Sequence, residues 1–274
     1  MTFIVVNFIF IILIFLISAV IARILIPRIL LISLRKKLFD IPDDRKVHKR
    51  AIPRLGGVSF FPTTLFAFCL VYTFRLLGGD SVSTLYASYL LPELLLFACG
   101  MTLLYLTGIA DDLVGVRYRQ KFVIQIFCAC LFPLSGLWIN DLYGLFGIHE
   151  LSVYVGIPFT ILTVVFITNA INLIDGIDGL ASGLSSVALL IFTFLFIEKG
   201  LWSYAMLAAG TFGVLVPFFY YNVFGSVERA RKIFMGDTGS LTLGYTLSFL
   251  AIKYSQHNAD IMPYTEGAFI IAFS

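Results

Sequence analysis

Residues 3–22 read FIVVNFIFIILIFLISAVIA, a run with one Asn, one Ser and no charge. About 20 apolar residues in helical form span the hydrocarbon core of a bilayer, and a helix satisfies every backbone group of such a segment internally. A secretory signal would open on a basic region and carry a shorter apolar core. Here no basic residue precedes the run, and Arg28, Arg35, Lys36 and Lys37 follow it. The segment is therefore expected to be a retained membrane span, and its reading sets the class of the whole chain.

The pattern recurs. With the first stretch taken as 3–26, further apolar stretches lie at 57–76, 90–110, 122–139, 153–171, 180–198, 201–221 and 238–253, and another begins near 264. This predicts an all-α, polytopic membrane helical bundle of about nine spans, a single domain over residues 1–274. Composition agrees: 59% of residues are hydrophobic, 28 are Phe, and 13% are charged, where soluble domains carry about 25%. The mean hydropathy is +0.97. The last stretch has about eleven residues before Ser274, roughly half a crossing, so the sequence is expected to be truncated at its C-terminus. Cys69, Cys99, Cys128 and Cys130 all fall in apolar stretches and read as small hydrophobes, with no disulfide framework and no zinc site.

The basic residues sort by loop. The first loop holds Arg28, Arg35, Lys36, Lys37, Arg45, Lys46, Lys49, Arg50 and Arg54; the third holds Arg117, Arg119 and Lys121; the seventh holds Arg229, Arg231 and Lys232. Even-numbered loops have only Arg75, Lys199 and Lys253, at their edges. The positive-inside rule then predicts odd loops in the cytoplasm and the N-terminus outside. The carboxylates add to this asymmetry. Outer loops carry isolated acids (Asp80, Asp141, Glu150, Asp260), whereas Asp111, Asp112, Asp175, Asp178 and Asp237 all fall at inner span boundaries beside glycines. A charge at membrane depth costs about 2.5–3.5 kcal/mol on insertion scales, so five acids at one face point to a site. Transporter sites lie nearer the midplane, often on inverted repeats, and no convincing repeat is present.

Four motifs carry the chemistry. The first loop, DIPDDRKVHKRAIPRLGG over 40–57, is partly a topological basic segment. Lys46 and His48 are candidate phosphate and substrate contacts, and Gly57, after Gly56, lets backbone approach a ligand closely. In the third loop Asp111 and Asp112 are adjacent acids that repel unless a cation or proton intervenes. They follow a span, where the helix dipole disfavours negative charge, and Lys121 and Gln125 share a face of the next helix. The fifth loop, NAINLIDGIDGLASG over 169–183, repeats polar residues every third position as Asn169, Asn172, Asp175 and Asp178. Steps of three lag by about 60° on a helix, so Gly176 and Gly179 are expected to break it and turn the acids toward one point. The seventh loop ends RARKIFMGDTGS over 229–240, where Gly236 and Gly239 beside a basic run suit a phosphate-binding helix N-terminus and Asp237 could cap the helix that follows. Oxygen donors, amides and cations without a Cys/His cluster suit Mg²⁺, which takes carboxylates plus substrate phosphates.

On these residues the chain resembles the polyprenyl-phosphate N-acetylhexosamine-1-phosphate transferases, the MraY/WecA/TagO type of glycosyltransferase family 4. The matching stretches are Pro42–Gly57, Gly108–Gln125, Asn169–Gly183 and Phe234–Gly244, nearest the WecA/TagO branch. The resemblance implies transfer of a sugar-1-phosphate, expected to be GlcNAc-1-phosphate, from a UDP-sugar to undecaprenyl phosphate, with release of UMP. It also implies the bacterial cytoplasmic membrane as location and the first membrane step of cell-envelope glycan synthesis as setting. It makes Asp111, Asp112, Asp175 and Asp178 the catalytic acids, and Asn172 and Asp237 the Mg²⁺ ligands, with Mn²⁺ a substitute. Lys46, His48, Gly57, Lys121, Asn169 and Gly236 are the expected substrate-binding residues. Membrane lipids are expected partners and nucleic acid is not; a homodimer stays open. The family's later His-containing cytoplasmic motif lies beyond Ser274. The alternatives are a phospho-N-acetylmuramoyl-pentapeptide transferase and a non-catalytic lipid-binding homologue.

Overall fold

The computed structural model describes residues 2–36, 38–40, 52–78, 81–226, 228–229 and 231–256. Among them are eight α-helices: α1 (Thr2–Lys36), α2 (Phe60–Leu77), α3 (Ser81–Val114), α4 (Tyr118–Leu134), α5 (Val153–Ile174), α6 (Leu180–Glu198), α7 (Trp202–Val223) and α8 (Gly236–Ser255). A two-residue ladder, β1 (Phe39–Asp40) against β2 (Ile52–Pro53), closes the first loop. Six helices, all except α4 and α8, are long and apolar enough to cross a membrane. The apolar stretch near 264 lies outside the described residues.

The boundaries show what periodicity alone misses. Helix α1 runs on to Lys36 through Pro27. The proline withdraws the N–H that would bond the Arg23 carbonyl, but the helix continues, with Arg35 and Lys36 in its last turn where the dipole favours cations. Helix α4 stops at Leu134 instead of 139, because Ser135 caps it and Gly136 turns the chain at φ +86°.

The bundle has two parts that share α6. Helix α7 packs chiefly on α1 and α6. It runs parallel to α1, as Phe8 on Trp202 and Phe15 on Phe212 show, at 5.7 and 5.4 Å between ring centres. Helix α8 packs on α5, α3 and α6 and is buried along almost its whole length, from Thr238 to Leu250. That burial explains a mean apolarity below that of the six helices long and apolar enough to cross a membrane. Thr242, Thr246 and Ser248 turn their hydroxyls back onto carbonyls four residues earlier, at 2.7–2.8 Å, so this helix meets protein on every side and needs no lipid-compatible face. An aromatic stack of Phe97, Tyr245, Phe132 and Phe249 locks α8 to α3 and α4. An apolar cavity of about 240 Å³ between α2, α3, α7 and α8 holds no charged residue.

Candidate active site

Everything converges on the first turn of α8. Gly236 enters it at φ +74°, and a Cβ there would lie 2.0 Å from the Arg54 carbonyl oxygen and 2.7 Å from Asp112 Oδ1. Only glycine fits a left-handed residue so enclosed. The segment before α8 is held by the first loop: Gly56 and Gly57 donate to the carbonyls of Phe234 and Met235, and Phe234 donates to Pro53. A Cβ on Gly57 would sit 2.1 Å from Gly239 Cα. Gly57 is thus a point of close backbone approach, as its sequence predicts, but what it approaches is α8 itself.

Asp112, in the last turn of α3, crosses to cap α8. Its Oδ1 accepts the Asp237 N–H at 2.8 Å, and its Oδ2 accepts the Thr238 N–H at 3.0 Å and the Thr238 hydroxyl at 2.6 Å. The amides read from sequence as a phosphate cradle are therefore donated to a carboxylate of the protein, the usual anion at a helix N-terminus. One acid of the pair, Asp112, thus caps a helix 125 residues away in sequence.

Asp111 turns the other way. Its Oδ1 accepts the Val116 N–H at 2.7 Å, and its Oδ2 takes the Lys121 ammonium at 3.0 Å. Lys121, reaching up from α4, bridges Asp111 to Asp237 Oδ1, so the cation that the adjacent acids demand is supplied from the chain. Asn172 donates to the same Asp237 oxygen at 2.6 Å and to Ser240 Oγ at 2.7 Å. One turn along α4, Gln125 exchanges hydrogen bonds with Asn169 at 2.7 and 3.3 Å, which places both predicted α4 residues on the face that meets α5.

The fifth loop breaks as the glycines predict: α5 ends at Ile174, Asp175 caps it, and Gly179 is left-handed at φ +74°. Its acids do not share one point. Asp175 takes a backbone hydrogen bond from Gly236, and its pKa is pushed up to about 8 by burial first and then by the charges of Asp237 and Asp112, against the opposing pull of the Gly236 N–H and Arg54. Asp178 instead pairs with Lys232 in the loop before α8. Asn222 ties that loop to Gly179, accepting its N–H at 2.7 Å and donating to the Ile233 carbonyl at 3.0 Å.

Asp111, Asp112, Lys121, Asn172, Asp175, Gly236 and Asp237 are thus gathered from α3, α4, α5 and α8, while Asn169 and Asp178 flank them. Lys46 and His48 lie outside the described residues. The sequence reading passed over Thr238 and Ser240, whose hydroxyls serve Asp112 and Asn172, and Lys232 as partner of Asp178. The signal was their spacing around Asp237, at +1 and +3 on a helix start. Among the described residues no three His, Cys, Asp or Glu side chains form a closed metal cage. The donor set is carboxylate and amide oxygen, the chemistry of a hard cation that keeps water and substrate ligands, and the Lys121 ammonium already occupies a cation position against Asp237.

Comparison with known proteins bears on the family of the chain. The model of glycosyl transferase family 4 matches residues 94–255, which contain all the gathered residues. A Bacillus subtilis protein named "Probable undecaprenyl-phosphate N-acetylglucosaminyl 1-phosphate transferase" is 32% identical over 81% of this chain and 56% of its own length. Proteins of Yersinia pestis and Escherichia coli K12, both named "Undecaprenyl-phosphate alpha-N-acetylglucosaminyl 1-phosphate transferase", are 30% and 28% identical over 88% of the chain and 62% of their own length. The chain spans under two thirds of these relatives. With the family's model covering more than half of the chain, from the middle of α3 to the end of α8, this protein belongs to glycosyl transferase family 4.

Proposed function

We propose that the chain transfers GlcNAc-1-phosphate from a UDP-sugar to undecaprenyl phosphate, releasing UMP, at the inner face of a bacterial cytoplasmic membrane. In this reading the N-terminus is outside, odd loops are cytoplasmic, and the stretch from 264 begins a ninth span. The observation that carries it is Asp237 at the start of α8, held by Lys121 and Asn172 beside Asp112 and Asp175. The relatives' names support GlcNAc as the sugar.

A phosphomonoester is mostly dianionic at neutral pH, its second pKa being about 6, so the lipid phosphate needs little help from a base. Its oxygen attacks the sugar-bearing phosphorus of the donor, and the bond to UMP breaks. The task is to bring two anions together in line. Asp112 fixes the α8 N-terminus and so fixes Asp237. Lys121 supplies positive charge between the carboxylates of α3 and α8, within reach of an incoming phosphate. Burial and the neighbouring charges of Asp237 and Asp112 push the Asp175 pKa up to about 8, toward the protonated form. A carboxyl in that state can donate a hydrogen bond to a phosphate oxygen instead of repelling it. Asp237 and Asn172 are the residues that would hold Mg²⁺, or Mn²⁺ in its place; when bound, the ion supplies Lewis-acid neutralisation of the diphosphate.

The test uses purified full-length protein, undecaprenyl phosphate and Mg²⁺, with UMP release followed from UDP-GlcNAc and from UDP-MurNAc-pentapeptide. UMP from UDP-GlcNAc, lost in Asp237→Ala, is the expected result. UMP from the pentapeptide donor alone moves the protein to the peptidoglycan branch, and none from either donor refutes the reading.

A further inference from the structure

Between α1 and α7, opening at the loop that follows α7, lies a trough that the transferase reading does not use. Its wider end is a cavity of about 530 Å³ between the C-terminal halves of α1 and α7, lined by Arg23, Arg229 and Arg231, together with Ser226, Tyr220 and Tyr221. Its narrower end, about 480 Å³, shares Arg23 and Tyr220 and continues along both helices toward their N-termini between Leu16, Ala19, Val20, Val216 and Pro217. The helices are parallel, so polarity falls steadily along the trough: guanidinium and hydroxyl groups at one end, aliphatic walls at the other.

Arg23 is the hinge between the two ends. It donates a hydrogen bond to the Tyr221 hydroxyl and lies 5.5 and 5.1 Å from the ring centres of Tyr220 and Tyr221. Among the described residues its partners are thus a hydroxyl and two π-faces, with no carboxylate in ion-pair range. Arg229 and Arg231, both exposed at the mouth, likewise have no carboxylate in ion-pair range among the described residues. A tyrosine pair beside arginines at the end of apolar helices is the composition of a headgroup-level belt. Basic pockets between membrane helices take lipid phosphates, and Arg binds phosphate in a fork geometry.

We propose that this trough binds an anionic glycerophospholipid, its phosphate between Arg23, Arg229 and Arg231 and one acyl chain in the α1–α7 groove. Charge complementarity at one end and an apolar channel at the other fit an amphiphile and do not fit a nucleotide or free phosphate. The acidic cluster sits on α3, α4, α5 and α8, whereas the trough is lined by α1, α7 and the loop after α7 and includes none of the cluster's residues. The occupant is therefore a resident lipid, distinct from the acceptor.

Native mass spectrometry of the full chain released from nanodiscs of equal phosphatidylglycerol and phosphatidylcholine tests this. The parent should retain phosphatidylglycerol severalfold over phosphatidylcholine. Arg23→Gln with Arg231→Gln should lower that retention on the order of tenfold, as expected for lost charge-assisted hydrogen bonds. Ala19→Phe, which fills the groove and keeps every arginine, should also lower it while the protein melts like the parent; Arg23→Lys should recover part of it. Equal retention of the two lipids, or undiminished retention in the double-glutamine variant, overturns the proposal. So does displacement of phosphatidylglycerol by equimolar undecaprenyl phosphate, which would give the trough to the acceptor.

Discussion

Replacing Asp112 by Ala separates two jobs that a carboxyl in this position could do. The substitution strands the N–H groups of Asp237 and Thr238 and the Thr238 hydroxyl, all donated to Asp112, on a residue, Thr238, that is 0% exposed. Hydrogen bonds to a charged acceptor contribute roughly 1.5–3 kcal/mol each, and an orphaned buried donor costs about 1–3. Because water can reach the Asp237 side of the cluster, the net cost is set at about 3 kcal/mol, toward the upper end for a lost helix cap. That is roughly a hundredfold in the equilibrium for opening the first turn of α8. Hydrogen exchange read by mass spectrometry on the peptide spanning 234–242 should show that loss of protection, with the middle of α6 unchanged. Asp112→Asn keeps one acceptor and should cost about 1 kcal/mol. If turnover vanishes while the α8 amides stay protected, the carboxyl acts on substrate and the capping argument fails.

Three further outcomes are expected. Gly57→Ala puts a carbon 2.1 Å from Gly239 Cα, where about 3.5 Å is needed. α8 must then shift by over an ångström, lowering UMP release by about a hundredfold; parental turnover and melting temperature would refute this. Lys121→Met leaves Asp111 and Asp237 without their shared cation and should destabilise metal-free protein by about 2 kcal/mol. Mg²⁺ should restore part of that loss in a thermal melt, and equal destabilisation with and without Mg²⁺ counts against a cation site there. For Asp175 the folded-state pKa of about 8 lies above the ordinary carboxyl value near ~4. The stability its protonation contributes is then full below about pH 4 and lost as pH rises through 8. In EDTA, melting temperature should fall across that window with a slope that Asp175→Asn reduces, and an unchanged slope would exclude Asp175 as the titrating group.

Much of the helical layout was legible in the chain because apolar run length and glycine placement are local properties. Eight of the apolar stretches became helices, and the Gly176–Gly179 segment broke where its composition says it must. The α4 face bearing Lys121 and Gln125 was legible from a spacing of four. Partners were not. Asp112 meets α8 across 125 residues, and the contact that demands glycine at 57 is another glycine at 239; neither has a local trace. Three-residue spacing brought Asn172 and Asp175 to α8 but could not say that Asn169 would face Gln125, or that Asp178 would find Lys232.

The hydroxyl-lined α8, enclosed along almost its whole length, has a consequence for biogenesis. A helix opening on Gly-Asp-Thr-Gly-Ser and carrying Lys253 in its last turn gains little by moving alone from the translocon into lipid. Its favourable surroundings are α3, α5 and α6, all of which leave the ribosome before it. Insertion of α8 is then templated by a sleeve already in place, and until it enters, the acids of α3 and α5 have no Asp237 to meet. Membrane assembly and construction of the acidic centre become one event, and a nascent chain stopped before α8 carries the parts of the centre without the centre itself.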